Sequence, residues 1–134
     1  MPDGRSGLTA SGPRILVIDD QTDVRKRIAD GLTELHFDVL EAATLAEASE
    51  TVAQGPPFGA VVVDVALKDG FGESFAKLMR AASPGTPVII VTGYGESAMR
   101  ERLSSDPGLA VLGKPLCLEV LARALATLGV EPHP

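Results

Sequence analysis

The segment that decides the fold is ILVIDD, residues 15–20, in which four apolar residues are followed by two aspartates. A continuous apolar run of this length, rich in β-branched residues, is typical of a strand that is covered on both faces. Two further runs have the same form, AVVVD over residues 60–64 and VIIVT over residues 88–92. Shorter runs at residues 39–42 and 110–112 predict two more strands.

Between the predicted strands, apolar residues recur at helical spacing. Residues 22–35 predict the first helix, and Thr44 followed by Glu47 predicts a capping box that opens the second. Three more helices are predicted, around residues 75–79, over residues 97–104 and over residues 116–128. Alternation of buried strands with helices predicts an α/β fold, a flavodoxin-like, doubly wound parallel sheet of five strands in the order 2-1-3-4-5 with five helices.

The chain divides into one domain and two short terminal segments. Its 134 residues are enough for one core and too few for two. Residues 1–13 are polar and rich in Gly, Ser and Pro, which predicts a flexible N-terminal segment. The domain is predicted over residues 14–129, and residues 130–134 are predicted to form a C-terminal tail.

Composition excludes several classes of function. The net charge of −6 and the aromatic content of 4% argue against nucleic-acid binding, because few cations and few stacking rings are present. The apolar runs all fall short of the ~18 residues that a membrane span needs. Cys117 is the single cysteine, so an internal disulfide and a multi-thiolate metal site are both excluded. These features and the lack of an apolar N-terminal core predict a cytoplasmic protein.

Polar side chains end four of the predicted strands. Asp19 and Asp20 follow the first, Asp64 the third, Thr92 the fourth and Lys114 the fifth. Each has an ordinary interpretation by itself, as a helix cap, a turn residue or a solvated charge. Because ligands bind outside the carboxyl ends of strands in open parallel sheets, their conjunction predicts one shared site.

The chemistry of these residues favours Mg²⁺ and a phosphoryl group. Three neighbouring carboxylates repel one another and favour a hard cation with oxygen ligands, to which the backbone carbonyl of Ala66 could contribute. Lys114 and the hydroxyl of Thr92 are suited to phosphoryl oxygens. A carboxylate can act as the nucleophile and form an aspartyl phosphate.

The motifs VIDDQ, VVVDVALKDGFG, VIIVTGYG and VLGKPL resemble those of the receiver domain of bacterial two-component response regulators. The resemblance covers roughly residues 14–128. It implies that Asp64 is the phosphoacceptor, that Asp19 and Asp20 organise Mg²⁺, and that Thr92 is the switch hydroxyl. It also implies a Lys114-Pro115 pair joined by a cis peptide bond.

The resemblance implies a signalling domain that catalyses only its own phosphorylation and dephosphorylation. Its phosphate would come from a sensor histidine kinase or a histidine phosphotransfer protein. An output partner would dock on the face formed by the fourth helix, fifth strand and fifth helix. Two positions depart from the family pattern, because Lys68 stands where proline is common and Val111 stands where a Tyr or Phe is usual.

Two other functions remain open at this point. A small Mg²⁺-dependent phosphohydrolase could use Asp64 with turnover, and a degenerate receiver could act only as a binding module. A P-loop at residues 108–114 is disfavoured because Pro115 replaces the required Ser or Thr. His36 and His133 are predicted to be solvated, and Cys117 is predicted to pack at the start of the fifth helix.

Overall fold

The computed structural model describes residues 8–9, 12–55 and 57–132. Within these residues, five parallel strands alternate with five helices. The strands are β1 (Gly12–Ile18), β2 (Asp38–Ala42), β3 (Ala60–Asp64), β4 (Val88–Thr92) and β5 (Leu109–Gly113). The helices are α1 (Thr22–Glu34), α2 (Leu45–Gln54), α3 (Gly72–Ala82), α4 (Glu96–Arg102) and α5 (Leu118–Thr127). The predicted alternation is therefore confirmed.

The five strands form one parallel sheet in the spatial order β2-β1-β3-β4-β5. This is the predicted order 2-1-3-4-5. Strand β1 lies between β2 and β3, where the direction of winding reverses, and the register pairs Ile18 with both Ala42 and Val63. The carboxyl ends of β1, β3 and β4 consequently lie side by side.

The sheet separates two apolar layers. One face packs against α1 and α5 through residues such as Val17, Val62 and Leu121. The other face packs against α2, α3 and α4 through residues such as Val63 and Phe75. Every residue of β3 and β4 is buried, which explains why these strands read as continuous apolar runs.

Helix α2 begins at the predicted cap. The Thr44 side chain accepts a hydrogen bond from the Glu47 N–H at 3.0 Å, which satisfies one of the free donors of the first turn. The Glu47 side chain accepts from the Ala43 N–H at 2.8 Å, one residue before the cap. The reciprocal capping arrangement is therefore shifted by one residue from the simplest form.

The expected domain boundaries stay predictions, but strand pairing extends past the first of them and the core extends past the second. Leu8–Thr9 pair antiparallel with Gly12 and Pro13, within the predicted N-terminal segment. Val130 is 7% exposed and packs in the α1/α5 layer, so the core includes the first residue of the predicted tail. The remaining residues of the N-terminal segment and His133 lie outside the described residues.

Three side chains differ in exposure from simple pattern expectations. Leu78 and Val120 lie on helices at apolar spacing but are 71% and 40% exposed, because these helices bury narrower faces than the sequence suggests. Cys117 precedes α5 as its N-cap and is exposed, so the prediction that it packs was wrong. His36 is exposed in a loop, as expected. In the described part of the chain, no helix is long and apolar enough to span a membrane.

Candidate phosphoryl and metal site

The structure brings the predicted acidic residues together at the carboxyl end of the sheet. Asp19 and Asp20 follow β1, and Asp64 is the last residue of β3. One carboxylate oxygen from each lies within 4.8 Å of the others. Asp19 and Asp64 are only 4% and 6% exposed, whereas Asp20 is half-buried. The cluster is thus a partly buried pocket of oxygen ligands.

Backbone contacts fix the position of Asp19. Its N–H donates to the carbonyl of Ala42 at 3.1 Å, which extends the β1–β2 ladder by one residue. Its side chain accepts from the Gln21 N–H at 2.9 Å, and its own carbonyl accepts from the Arg25 guanidinium at 2.8 Å. Arg25 was not identified from the sequence, because its role depends on a contact between α1 and the end of β1.

Burial and the negative charge of Asp64 both raise the pKa of Asp19. Desolvation is the main reason that the pKa of its carboxyl lies above the ordinary value, and the nearby charge of Asp64 adds to the effect. The hydrogen bond from Gln21 and the charge of Lys114 oppose it. The folded protein therefore holds an anion here at a cost, which a bound cation would offset.

Lys114 reaches the acidic cluster from the end of β5. Its ammonium lies 2.9 Å from one carboxylate oxygen of Asp64. Its N–H donates to the carbonyl of Thr92 at 2.9 Å, and the Lys114–Pro115 peptide bond is cis, as the resemblance implied. The backbone contacts of Lys114 therefore position its ammonium group on the side of Asp64 that faces β4 and β5.

Thr92 is brought to the same edge, but its hydroxyl has local partners. It is 2% exposed, its hydroxyl donates to the Tyr94 carbonyl at 2.8 Å, and it accepts from the Tyr94 N–H at 3.2 Å. Tyr94 itself is 92% exposed. The hydroxyl thus fixes the turn between β4 and α4 in this structure.

The loop after Asp64 is a short hairpin, Ala66–Leu67 paired with Gly70–Phe71. Ala66 is exposed, and its carbonyl remains a predicted metal ligand. Asp69 anchors the loop to α2, because its carboxylate accepts from the N–H groups of Leu45 and Ala46, both at 3.0 Å. These hydrogen bonds hold the pKa of Asp69 below its ordinary value.

Gly72 is a further residue whose role the sequence did not reveal. A Cβ atom at this position would overlap the backbone carbonyl of Asp64. The Gly72 N–H donates to the Val65 carbonyl at 2.8 Å. Only glycine allows α3 to begin this close to the end of β3, so Gly72 keeps the hairpin after Asp64 against the strand.

An apolar crevice of about 700 Å³ extends from the site between α1 and α5. Val17, Val62 and Val91 of the sheet line it, and Asp64 and Lys114 also contribute to its lining. Asp64 and Lys114 therefore border an apolar surface as well as the carboxyl edge of the sheet.

Comparison with known proteins was consistent across sequence and structure. The family model for the response regulator receiver domain matches residues 15–126. The photosynthetic apparatus regulatory protein RegA of Cereibacter sphaeroides is 30% identical over 120 residues, which are 90% of this chain and 65% of RegA. The transcriptional regulatory protein TcrA of Mycobacterium tuberculosis is 34% identical over 138 residues, with 98% of this chain and 53% of TcrA covered. The chain thus spans between about half and two thirds of the length of these relatives.

A solved structure shares the whole architecture. It is a response regulator protein from Burkholderia pseudomallei with a phosphorylated aspartic acid, a calcium ion and citrate, and its sequence is 28% identical. The TM-score is 0.74, and the superposition covers 84% of this chain and 65% of that chain. The fold described above is therefore similar to that of a solved response regulator.

Proposed function

We propose that this chain, which belongs to the response regulator receiver domain family of two-component systems, accepts a phosphoryl group on Asp64 from a phosphohistidine donor. Phosphorylation and Mg²⁺ dependence are general properties of the family. The observation that supports Asp64 most strongly is its position at the end of the central strand β3. There its carboxylate meets the Lys114 ammonium at 2.9 Å beside Asp19 and Asp20.

The donor set fits Mg²⁺. Asp19, Asp20 and Asp64 offer hard oxygen ligands within 4.8 Å of one another, and the Ala66 carbonyl is a further candidate. Asp19 is buried with a raised pKa, as expected for an anion that lacks a full counter-charge. Bound at these residues, Mg²⁺ would neutralise the carboxylates and stabilise negative charge on phosphoryl oxygens.

The chemical step uses Asp64 as the nucleophile. One of its carboxylate oxygens bonds to phosphorus while the bond from phosphorus to the donor's imidazole nitrogen breaks, and the imidazole takes up a proton. Lys114 orients Asp64 before transfer and donates to the phosphoryl oxygens afterwards. The Thr92 hydroxyl exchanges its Tyr94 partner for a phosphoryl oxygen, since Thr92 and Asp64 end neighbouring strands of the sheet.

The donor belongs to a sensor histidine kinase or a histidine phosphotransfer protein, because receiver domains accept phosphate from such proteins. The apolar crevice beside α1 offers a surface on which a donor could bury apolar side chains next to Asp64. The α4–β5–α5 face serves an output partner. The domain catalyses only its own phosphorylation and dephosphorylation, and a cytoplasmic location stays a prediction.

The proposal is tested by incubating the chain with acetyl phosphate and measuring its intact mass. Wild type should gain one phosphoryl group with Mg²⁺ and none after chelation. Asp64→Asn should gain none, whereas Asp69→Asn, a change in the same loop outside the acidic cluster, should gain as much as wild type. Undiminished labelling of Asp64→Asn would refute the assignment. Continuous phosphate release from varied monoesters would favour the phosphohydrolase, and absence of labelling in wild type would favour a binding module.

A further inference from the structure

Within the part of the chain that the structure describes, strand β5 forms one edge of the sheet, and no neighbouring strand uses its outer backbone groups. The Val88 N–H donates to the Gly108 carbonyl, and the Lys114 N–H donates to the Thr92 carbonyl, both at 2.9 Å. Gly108 and Lys114, which flank β5, therefore direct these backbone groups toward β4. Alternation along the strand then directs the carbonyls of Val111 and Gly113 toward the open edge.

Arg100 of α4 occupies this edge. Its guanidinium donates to the Val111 carbonyl at 2.8 Å and pairs with Glu96, one turn earlier in the same helix. The Val111 side chain is 3% exposed and packs in the layer beneath α4 with Leu103 and Met99. Helix α4 is therefore joined to β5 on two sides, by apolar packing beneath it and by a charged hydrogen bond at the edge.

Gly113 makes room for this arrangement. A Cβ atom there would overlap the Glu96 carboxylate, which lies against the strand. Gly113 is also the register partner of Thr92. The Glu96–Arg100 pair thus lies directly beside the residue pair that connects β5 with the predicted switch hydroxyl.

Thr92 and α4 are linked by a short segment. The Thr92 hydroxyl holds the backbone of Tyr94, and the next residue, Gly95, is the left-handed N-cap of α4 with φ 70°. The Gly95 carbonyl accepts from the Met99 N–H at 3.0 Å. If the hydroxyl leaves Tyr94, the constraint on Gly95 is lost, and the first turn of α4, which carries Glu96, is free to shift.

We infer that Arg100, oriented by Glu96, is a positioning residue that holds α4 on the edge of β5 in the unphosphorylated state. Its release from the Val111 carbonyl transmits phosphorylation to the α4–β5–α5 face. This regulation rests on the proposed function of Asp64. Position 111, where an aromatic residue is usual, carries Val111, a small β-branched side chain with few alternative rotamers. In this chain the charged pair on α4 therefore couples Thr92 to the α4–β5–α5 face in place of an aromatic ring.

The test compares Arg100→Ala with Arg102→Ala in the full chain. Both remove one guanidinium from α4, but Arg102 pairs with Glu73 on α3 and not with β5. Binding of beryllofluoride with Mg²⁺ is followed through the amide resonances of residues 92–113. Loss of a contact made only in the resting state should raise the apparent affinity of Arg100→Ala roughly fivefold, because less resting-state stabilisation must be overcome.

Two further variants separate positioning from a general loosening of the helix. Arg100→Lys keeps a donor for the Val111 carbonyl and should restore most of the wild-type affinity. Glu96→Gln should shift the affinity in the same direction as Arg100→Ala but less. Equal affinities for Arg100→Ala and Arg102→Ala, with a normal wild-type response, would overturn the role of Arg100 alone. If beryllofluoride causes no change in the amide resonances of wild type, or causes a change that does not depend on Asp64, the proposed function and this regulation are both overturned.

Discussion

Charged side chains are paired with opposite charges at the amino end of the sheet, whereas like charges cluster at the carboxyl end. At the amino end, each guanidinium has its own carboxylate. Arg14 lies 2.9 Å from Asp38, and Arg80 makes two hydrogen bonds of 2.9 Å to Asp106. At the carboxyl end, three carboxylates cluster, and within the described residues their one salt bridge is the contact between Lys114 and Asp64.

The difference appears in the acid–base properties of two aspartates. The hydrogen bonds from Arg80 hold the pKa of Asp106 below its ordinary value, so its ionised form stabilises the fold. Burial and the charge of Asp64 raise the pKa of Asp19, so its ionised form destabilises the fold. The same residue type thus stabilises the fold at one end, whereas at the other end it forms the proposed site for a cation and a phosphoryl group.

The largest effect on stability is expected at the amino end. Arg80→Met should lower the free energy of unfolding by about 2–3 kcal/mol, because Asp106 and the carbonyls of Pro84 and Thr86 lose their donor. Urea unfolding measures the change. Labelling by acetyl phosphate should stay at the wild-type level in the folded variant. A loss below about 0.5 kcal/mol would show that the pair behaves as an ordinary surface salt bridge.

At the carboxyl end, loss of one ligand should affect cation binding. Asp20→Ala should weaken Mg²⁺ binding about tenfold, equivalent to about 1.4 kcal/mol, as measured by calorimetry. The matched control is Asp23→Ala, which removes an exposed carboxylate from the first turn of α1 outside the cluster. If both variants bind Mg²⁺ as wild type does, the cluster is not the metal site.

The raised pKa of Asp19 predicts that, in the absence of a divalent cation, ionised Asp19 lowers the stability of the fold in a pH-dependent way. Between the unfolded pKa of 3.8 and its higher folded value, the native state binds more protons than the unfolded state, so this group's contribution to stability falls as pH rises. Asp19→Asn should therefore be more stable than wild type at neutral pH, by about 1 kcal/mol. The two proteins should converge near pH 4. A variant that is less stable than wild type at neutral pH in chelator would contradict this charge assignment.

The smallest effect concerns the paired aspartate. Asp106 is one-third exposed, so solvent screening limits its contribution to a few tenths of a kcal/mol up to about 1 kcal/mol. That stabilisation should be present above pH 3.8 and disappear as pH falls through the lowered pKa. Thermal unfolding of Asp106→Asn and wild type should therefore differ at neutral pH and agree in strong acid. A difference that grows in acid would reverse the sign assigned to this pair.

Much of this arrangement was predictable from local sequence. Runs such as residues 60–64 indicate fully buried strands, and their terminal polar residues must converge in a parallel sheet. The convergence of Lys114 and Asp64 on one edge of the sheet was predictable from that geometry. Contacts that depend on how separate elements pack were not predictable. The engagement of Thr92 with Tyr94 and the approach of Gly72 to Asp64 are of this kind, since no local pattern specifies them.

The contact between Arg100 and Val111 was hidden for a related reason. From the sequence, Val111 was notable only because it stands where an aromatic residue is usual. The side chain that contacts its carbonyl belongs to Arg100 on another element. The exposure of Leu78 similarly depends on which face of α3 meets the sheet. Periodicity locates a helix, but the width of its buried face is set by its neighbours.

We propose that the surplus negative charge at the carboxyl end of the sheet equips Asp64 to accept a phosphoryl group. The most direct measurement is reduction of the acetyl-phosphate-treated chain with borohydride, followed by peptide mass spectrometry. Reduction converts an aspartyl phosphate to homoserine and so marks the acceptor. The account predicts homoserine in place of Asp64 alone, and only after treatment with Mg²⁺. Homoserine in place of Asp19, Asp20 or Asp69, or labelling that is independent of Mg²⁺, would contradict it.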